Sequence, residues 1–229
     1  MCSINHEKKA IFIHIPKTAG IYVRKILKNH YNFSLYLFER PDHIDYCNTE
    51  IKYNKNHQLY FGNKIHGIIQ YYKTSDYLNE LMGMDEQKWN EYYKFCFVRD
   101  PYKRIISAWN YVQETNNFNI EFDKYLEYKD IVSEDEYFHV FMPQYFHILD
   151  ENNNIFVNYI GKFENLEEEL EKILINIGFE KNQIIHDKTN KKNNREYDLK
   201  ITDLSQDVIN KINFMFDKDF EYFNYIKKV

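Results

Sequence analysis

The chain of 229 residues contains few glycines, prolines and cysteines, with 6, 4 and 3 of each. So little glycine and proline excludes collagen-like and low-complexity proteins. The three cysteines, Cys2, Cys47 and Cys96, lie far apart and form no Cys-x-x-Cys pair. The sequence therefore indicates neither a disulfide framework nor a cysteine zinc site, and we expect a reducing, cytoplasmic setting.

The chain also lacks an excess of positive charge and a long apolar segment. Its net charge of −5 argues against a nucleic-acid partner. The short apolar run at 10–15 is far below the roughly 20 residues that span a bilayer, and it has no features of a secretory leader. The remaining composition is that of a globular protein, with 44% hydrophobic residues. Because we find neither repeats nor a linker, we predict a single domain over residues 1–229, of unknown oligomeric state.

A strand–loop–helix pattern occurs three times along the chain. We predict strands at 10–15, 95–98 and 155–160, each followed by a helix, and further helices at 122–146 and 204–216. Asp100 is a suitable N-cap for the second helix, and Gly178 a suitable terminator for the third. The alternation predicts an α/β fold with a largely parallel sheet, which binds ligands where strands end and helices begin.

The first such junction carries the residues Pro16-Lys17-Thr18-Ala19-Gly20. Helix N-termini present N–H groups that suit a phosphate, small residues allow its close approach, and a lysine and a hydroxyl add donors. The G-x-x-x-x-G-K-[ST] loop of nucleoside triphosphatases is absent, which disfavours an ATPase or GTPase. A simple turn with a surface lysine explains the same residues equally well.

The second junction carries Arg99-Asp100-Pro101, followed by Arg104 and Ser107 on one helix face. An arginine with a hydroxyl makes a good clamp for a phosphate dianion. Taken alone, a helix cap at Asp100 and a surface serine at Ser107 would be a sufficient explanation. Two junctions that each carry a cationic anion site favour one ligand with two separated phosphates.

Both motifs resemble those of the carbohydrate sulfotransferases, the sulfotransferase family 2 that includes heparan sulfate 2-O-sulfotransferase and its bacterial relatives. The stretch 16–20 is similar to the P-K-T-x-G loop of that family, and 99–107 to its R-[DN]-P-x-x-R-x-x-S motif. Two weaker landmarks also match, Ile160-Gly-Lys-Phe-Glu-Asn165 and Phe214-Met-Phe-Asp-Lys-Asp-Phe220 with Tyr225. The resemblance therefore covers nearly the whole chain.

The resemblance implies an α/β, P-loop-kinase-like three-layer fold with a central, mostly parallel sheet flanked by helices. It also implies a sulfuryl donor, 3′-phosphoadenosine-5′-phosphosulfate, which leaves adenosine 3′,5′-bisphosphate as product, and a glycan acceptor that reacts through a hydroxyl or, as second choice, an amine. It implies no metal. Arg99 and Ser107 would hold the 3′-phosphate. The residues around the 5′-phosphosulfate would be Pro16, Lys17, Thr18, Ala19, Gly20 and Ile21.

One departure from the family pattern affects the first motif. Family loops usually continue with two hydroxyl residues, whereas Ile21 and Tyr22 follow Gly20 here. Backbone amides remain, so we expect weaker donor affinity. This departure keeps open a weak or inactive nucleotide-binding protein of the same fold. A small-molecule kinase that uses Mg-ATP is a further alternative.

Sulfuryl transfer to a hydroxyl requires stabilisation of the leaving oxygen and a general base. We predict Lys17 for the first role and His66 for the second, because His66 lies between a short predicted strand at 59–61 and the second motif. Other histidines are weaker candidates for the base. We predict that His14 lies in the core, whereas His139, His147 and His186 could lie near the acceptor or the nucleotide.

Overall fold

A sheet of five strands lies at the centre of the part of the chain that the computed structural model describes, residues 2–36, 85–116, 120–127, 141–149, 153–185 and 199–229. The strands are β1 (Cys2–Asn5), β2 (Ala10–Ile13), β3 (Ser34–Tyr36), β4 (Tyr93–Val98) and β5 (Tyr159–Lys162). Their spatial order is β3-β1-β2-β4-β5.

Only β1 runs against the other described strands. It pairs antiparallel with β2 and β3, whereas β2–β4 and β4–β5 are parallel pairs, with Phe12 opposite Phe95 and Phe95 opposite Tyr159. The carboxyl ends of β2 and β4 therefore reach the same edge of the sheet, where the two motifs begin. This arrangement confirms the predicted α/β fold with a mostly parallel sheet.

The described helices are α1 (Gly20–His30), α2 (Glu86–Glu91), α3 (Pro101–Asn116), α4 (Phe122–Glu127), α5 (Leu166–Asn176), α6 (Gln206–Met215) and α7 (Asp217–Tyr222). Short 3-10 turns occupy Gln144–Ile148, Phe163–Asn165, Lys181–Gln183 and Ile201–Asp203. The helices predicted after the three strands and at 204–216 are confirmed. The one predicted at 122–146 is confirmed only at its start, since Gln144–Ile148 is a 3-10 turn and 128–140 lies outside the described residues.

The structure differs from the predicted strands in two places. The polar N-terminus forms β1, because Ser3 and Asn5 are buried and the Asn5 side chain donates to the Tyr31 carbonyl at 2.8 Å. The strand predicted at 155–160 begins four residues later in the structure. Ile155 forms only an isolated antiparallel bridge with Leu149, and β5 begins at Tyr159, alongside β4.

Separate apolar clusters cover the two faces of the sheet. Phe12 points into a cluster formed with α1 and α5, whereas its neighbours Ile11 and Ile13 point into a second cluster with Trp89 and Ile148. This alternation is expected of a strand buried on both sides. A third cluster packs α3 against α4, α6 and α7. Helical residues therefore pack on both faces of the sheet.

None of the helices in the described ranges is both long and apolar enough to cross a membrane.

Candidate functional site

The loop between β2 and α1 has an unusual backbone conformation. Lys17 and Ala19 have φ angles of 68° and 64°, in the left-handed region that non-glycine residues seldom adopt. Each such residue costs roughly 1–2 kcal/mol. The Thr18 hydroxyl donates to the Ile15 carbonyl at 2.8 Å and closes the turn. Left-handed residues in a turn are the backbone feature from which anion-binding nests are built, and this loop has two of them, Lys17 and Ala19.

Gly20, the first residue of α1, is in close contact with the imidazole of His14. A Cβ atom added to Gly20 would lie 1.7 Å from His14 Cδ2 and 1.9 Å from Nε2. His14 is buried directly after β2, and its ring stacks on Phe12. The absence of a side chain at Gly20 therefore lets the helix start against the end of the strand.

We expect Gly20→Ala to lower the free energy of unfolding by about 3 kcal/mol, the upper part of the usual range for overpacking. The reason is that neither the backbone of α1 nor the packed His14 ring has room to move. Chemical denaturation measures the change. In the double variant His14→Ala/Gly20→Ala the loss should be smaller than the sum of the two single losses.

Gly178 provides the matched control, because, unlike Gly20, it has no bulky side chain against it, although its φ is 90°. A Cβ there would lie 3.7 Å from the nearest atom, Lys8 Nζ. Gly178→Ala should cost about 1 kcal/mol from backbone strain alone. A Gly20→Ala protein as stable as Gly178→Ala would contradict the packing account.

The second motif follows β4 as predicted. Asp100 caps α3, since its carboxylate accepts from the Lys103 N–H at 3.0 Å. Arg104 and Ser107 are both buried on α3. The stretch 99–107 thus presents one guanidinium at the end of the strand and a second one, with a hydroxyl, on the first turns of the helix.

The two motifs are in direct contact. Arg104 Nε donates to the Pro16 carbonyl at 3.1 Å, and Arg99 Nη1 donates to the Lys17 carbonyl at 3.4 Å. The Lys17 ammonium lies 4.0 Å from the centre of the Tyr111 ring on α3, a cation–π distance. The cationic side chains of Arg99, Arg104 and Lys17 therefore lie together at the loop, at the carboxyl edge of the sheet.

The two weaker sequence landmarks also meet at this edge. Arg99 lies 4.2 Å from the ring centre of Phe163, and Glu164 accepts from the Asp100 N–H at 3.0 Å. The Tyr225 hydroxyl donates to the same carboxylate at 2.8 Å, and burial raises the pKa of this tyrosine. The segment after β5 and the C-terminal end of the chain thus hold the second motif in place.

Arg104 is almost fully buried, and burial lowers the pKa of its guanidinium to about 10, so it stays charged at neutral pH. The carboxylate of Asp219, which is fully buried, opposes this shift. Burial raises the pKa of Asp219, while the charge of Arg104 and donors from Gln144 and Tyr145 act in the opposite direction. The Nη2 atom of Arg104 is buried with no hydrogen-bond partner among the described residues. A buried cationic donor that lacks an acceptor fits a site for an anionic group.

The structure brings most of the predicted site residues together. Pro16, Thr18 and Gly20 are buried in the loop, with Lys17 and Ala19 partly exposed. The Thr18 hydroxyl, predicted to donate to the phosphate, donates to the Ile15 carbonyl instead, because its side chain points into the fold. Ile21, in the position of a family hydroxyl residue, is 74% exposed. Ser107 is buried one turn beyond Arg104.

The predicted base, His66, lies outside the described residues, and so do His139 and His186. His14 is buried, as predicted for a core residue, and His147 is buried in the 3-10 turn. Across the described ranges, no group of three or more His, Cys, Asp or Glu side chains could hold a metal ion.

Three contributors to the site were not predicted: the Arg104 bond to Pro16, Gln144 and Asp219. The sequence contained an indication for Arg104, because its spacing places it on the same helix face as Ser107. Asp219 lies within the weaker landmark 214–220, but nothing in the sequence indicated its role, and Gln144 lies in no landmark. Both residues act on partners that are 45 and 75 residues away in the chain.

The profile of the sulfotransferase family matches residues 2–226, so the chain belongs to that family. The family implies the P-loop-like fold that the sheet and its first loop display, and supports sulfotransferase activity. An uncharacterized protein of Archaeoglobus fulgidus is 34% identical to this chain over 88 residues, which are 38% of this chain and 68% of that protein. No solved structure matches the chain.

Proposed function

We propose that this sulfotransferase moves a sulfuryl group from 3′-phosphoadenosine-5′-phosphosulfate to a hydroxyl, or as second choice an amine, of a carbohydrate. The observation that carries the proposal is the contact between the two cationic motifs, through Arg104 Nε to the Pro16 carbonyl and Arg99 Nη1 to the Lys17 carbonyl. A donor with phosphate groups at both ends of one ribose needs two anion sites that are close and fixed relative to each other.

The loop would bind the 5′-phosphosulfate. Its left-handed residues Lys17 and Ala19 give the loop the backbone conformation of an anion nest, and α1 would add N–H groups of its first turn. These donors need no hydroxyl side chain, which is why Ile21 is compatible with binding. Arg99 and Ser107 would bind the 3′-phosphate, with Arg104 beneath both sites.

In the transfer step, the acceptor oxygen forms a bond to sulfur as the bond from sulfur to the bridging 5′-phosphate oxygen breaks. Lys17 would stabilise the charge that develops on this bridging oxygen. The acceptor proton would pass to a base, for which His66 stays the candidate. The products are a sulfate ester and adenosine 3′,5′-bisphosphate, so atoms and charge balance without a metal.

Ligand-induced melting shifts would test donor binding. We expect adenosine 3′,5′-bisphosphate at 100 times its Kd to stabilise the chain by about 2.7 kcal/mol, and Mg-ATP to stabilise it much less. A larger shift with Mg-ATP would favour the kinase alternative. Transfer itself is measured with donor labelled in its sulfuryl group and a panel of glycans.

The second candidate function is a nucleotide-binding protein of this fold with weak or no turnover. The observation that favours it is Ile21, 74% exposed at a position beside the loop where hydroxyl groups would otherwise contact the 5′-phosphate. Tight binding of the bisphosphate, with no labelled product from any acceptor, would support this alternative. Recovery of binding strength in Ile21→Thr would identify the missing hydroxyl as the cause.

A further inference from the structure

We infer that Gln144 is a positioning residue for the 3′-phosphate subsite, and that Asp219 sets the orientation of its amide. The inference rests on the proposed function, because it assigns these two residues to the site that Arg99 would form. Neither residue touches the ligand in this account: Gln144 acts on the backbone of Arg99, and Asp219 acts through Gln144.

The side chain of Gln144 makes two hydrogen bonds to the backbone of one residue, Arg99. Its Oε1 accepts from the Arg99 N–H at 2.8 Å, and its Nε2 donates to the Arg99 carbonyl at 2.8 Å. Strand β4 ends at Val98, so Arg99 is the first residue beyond the sheet ladder. The Gln144 amide thus makes the pair of hydrogen bonds that a neighbouring strand would make to the Arg99 backbone. These two bonds fix the backbone from which the Arg99 guanidinium extends.

Asp219 determines the orientation of the Gln144 amide. Its Oδ2 accepts from the Gln144 backbone N–H at 2.8 Å and from the Gln144 Nε2 at 3.3 Å, and its Oδ1 accepts from the Tyr145 N–H at 2.9 Å. The Nε2 group therefore faces two acceptors, and the opposite amide orientation would place oxygen against oxygen. Gln144 and Asp219 are both fully buried, so water cannot substitute for a lost partner.

The consequence for binding concerns one end of the nucleotide only. The Arg99 guanidinium lies 4.2 Å from the centre of the Phe163 ring, and the Arg99 backbone is held by the Gln144 amide. A guanidinium that binds a phosphate gains most when its direction is fixed beforehand, and a displacement of about 1 Å can cost a factor of about 10². Disturbing Gln144 should therefore weaken the contribution of the 3′-phosphate and leave the 5′ end largely unaffected.

The test compares the Kd of adenosine 3′,5′-bisphosphate with that of adenosine 5′-phosphate by calorimetry. In the wild type the 3′-phosphate should tighten binding about 100-fold, the effect of one or two hydrogen bonds to a charged group. In Gln144→Glu, which keeps the acceptor for the Arg99 N–H but turns an oxygen toward the Arg99 carbonyl, this ratio should fall about tenfold. Gln144→Ala and Asp219→Asn should lower it in the same direction.

Gln113 on α3 offers a matched control. Its side chain makes the same pair of bonds to the backbone of Ile120, with Oε1 accepting at 3.2 Å and Nε2 donating at 2.9 Å. Gln113→Glu and Gln113→Ala should reduce stability, as the Gln144 variants do, but leave the ratio of the two dissociation constants unchanged. Circular dichroism confirms that each variant is folded at the assay temperature.

The proposed function and the positioning role of Gln144 can be contradicted separately. A wild type that binds neither nucleotide would overturn the proposed function itself. A wild type with a large 3′-phosphate contribution that Gln144→Glu and Asp219→Asn retain would overturn only the positioning role. Equal losses in the Gln113 and Gln144 variants would also overturn it, because they would reflect a general loosening of the fold.

Discussion

Replacing Lys17 by alanine should lower kcat for sulfuryl transfer about 10²–10³-fold, the range seen when one donor to a developing oxyanion is removed. Lys17 is the loop cation, and its ammonium already lies over Tyr111, on the side of the loop that faces α3. Alanine keeps the left-handed backbone of the loop, with its φ of 68°, under the same steric restriction, so that the variant removes the ammonium alone. Initial rates at saturating donor measure the effect.

The control for this variant is Lys25→Ala, since Lys25 is an exposed lysine on the same helix that follows the loop. It should change kcat by less than twofold and leave the melting temperature unaltered. Binding of adenosine 3′,5′-bisphosphate should weaken far less in Lys17→Ala than the rate of transfer. A Lys17→Ala protein with the wild-type rate would reject the role assigned to this residue.

Replacing Arg104 by methionine should lower the free energy of unfolding by about 3 kcal/mol, because it leaves the Pro16 carbonyl without the buried donor that lies 3.1 Å away and joins the two motifs. It also removes a positive charge that favours the ionised form of the buried Asp219. We therefore expect nucleotide binding to be lost along with stability. Urea denaturation gives the first quantity, and calorimetry the second.

Two further variants serve as controls for the predicted effect of Arg104→Met. Lys103→Met alters the exposed neighbour of Arg104 and should change the free energy of unfolding by no more than about 0.5 kcal/mol. In Arg104→Met/Asp219→Asn, removal of both charges should recover part of the lost stability, because residues in one buried network do not act additively. Strict additivity in the double variant would contradict the electrostatic link between Arg104 and Asp219.

Much of the candidate site was predictable because its residues follow local rules. A β-branched run that ends at a proline, small residues before a helix, and an Asp-Pro pair at a helix start each determine structure within a few residues of chain. Lys17, Arg99 and Ser107 could therefore be located on the correct junctions. The strand at Cys2–Asn5 could not, because its buried Ser3 and Asn5 look like surface residues until β2 and Tyr31 supply their partners.

The sequence by itself determined the two cationic motifs, the strand and helix on either side of each, and the class of ligand that they favour. Only the tertiary structure decided that Arg104 reaches Pro16 across 88 residues, that Gln144 holds the backbone of Arg99, and that Asp219 holds Gln144. The physical reason is that these contacts depend on parallel strand pairing and on the packing of the C-terminal helices against α3. Such contacts join segments far apart in the chain, and no local pattern encodes which of them will meet.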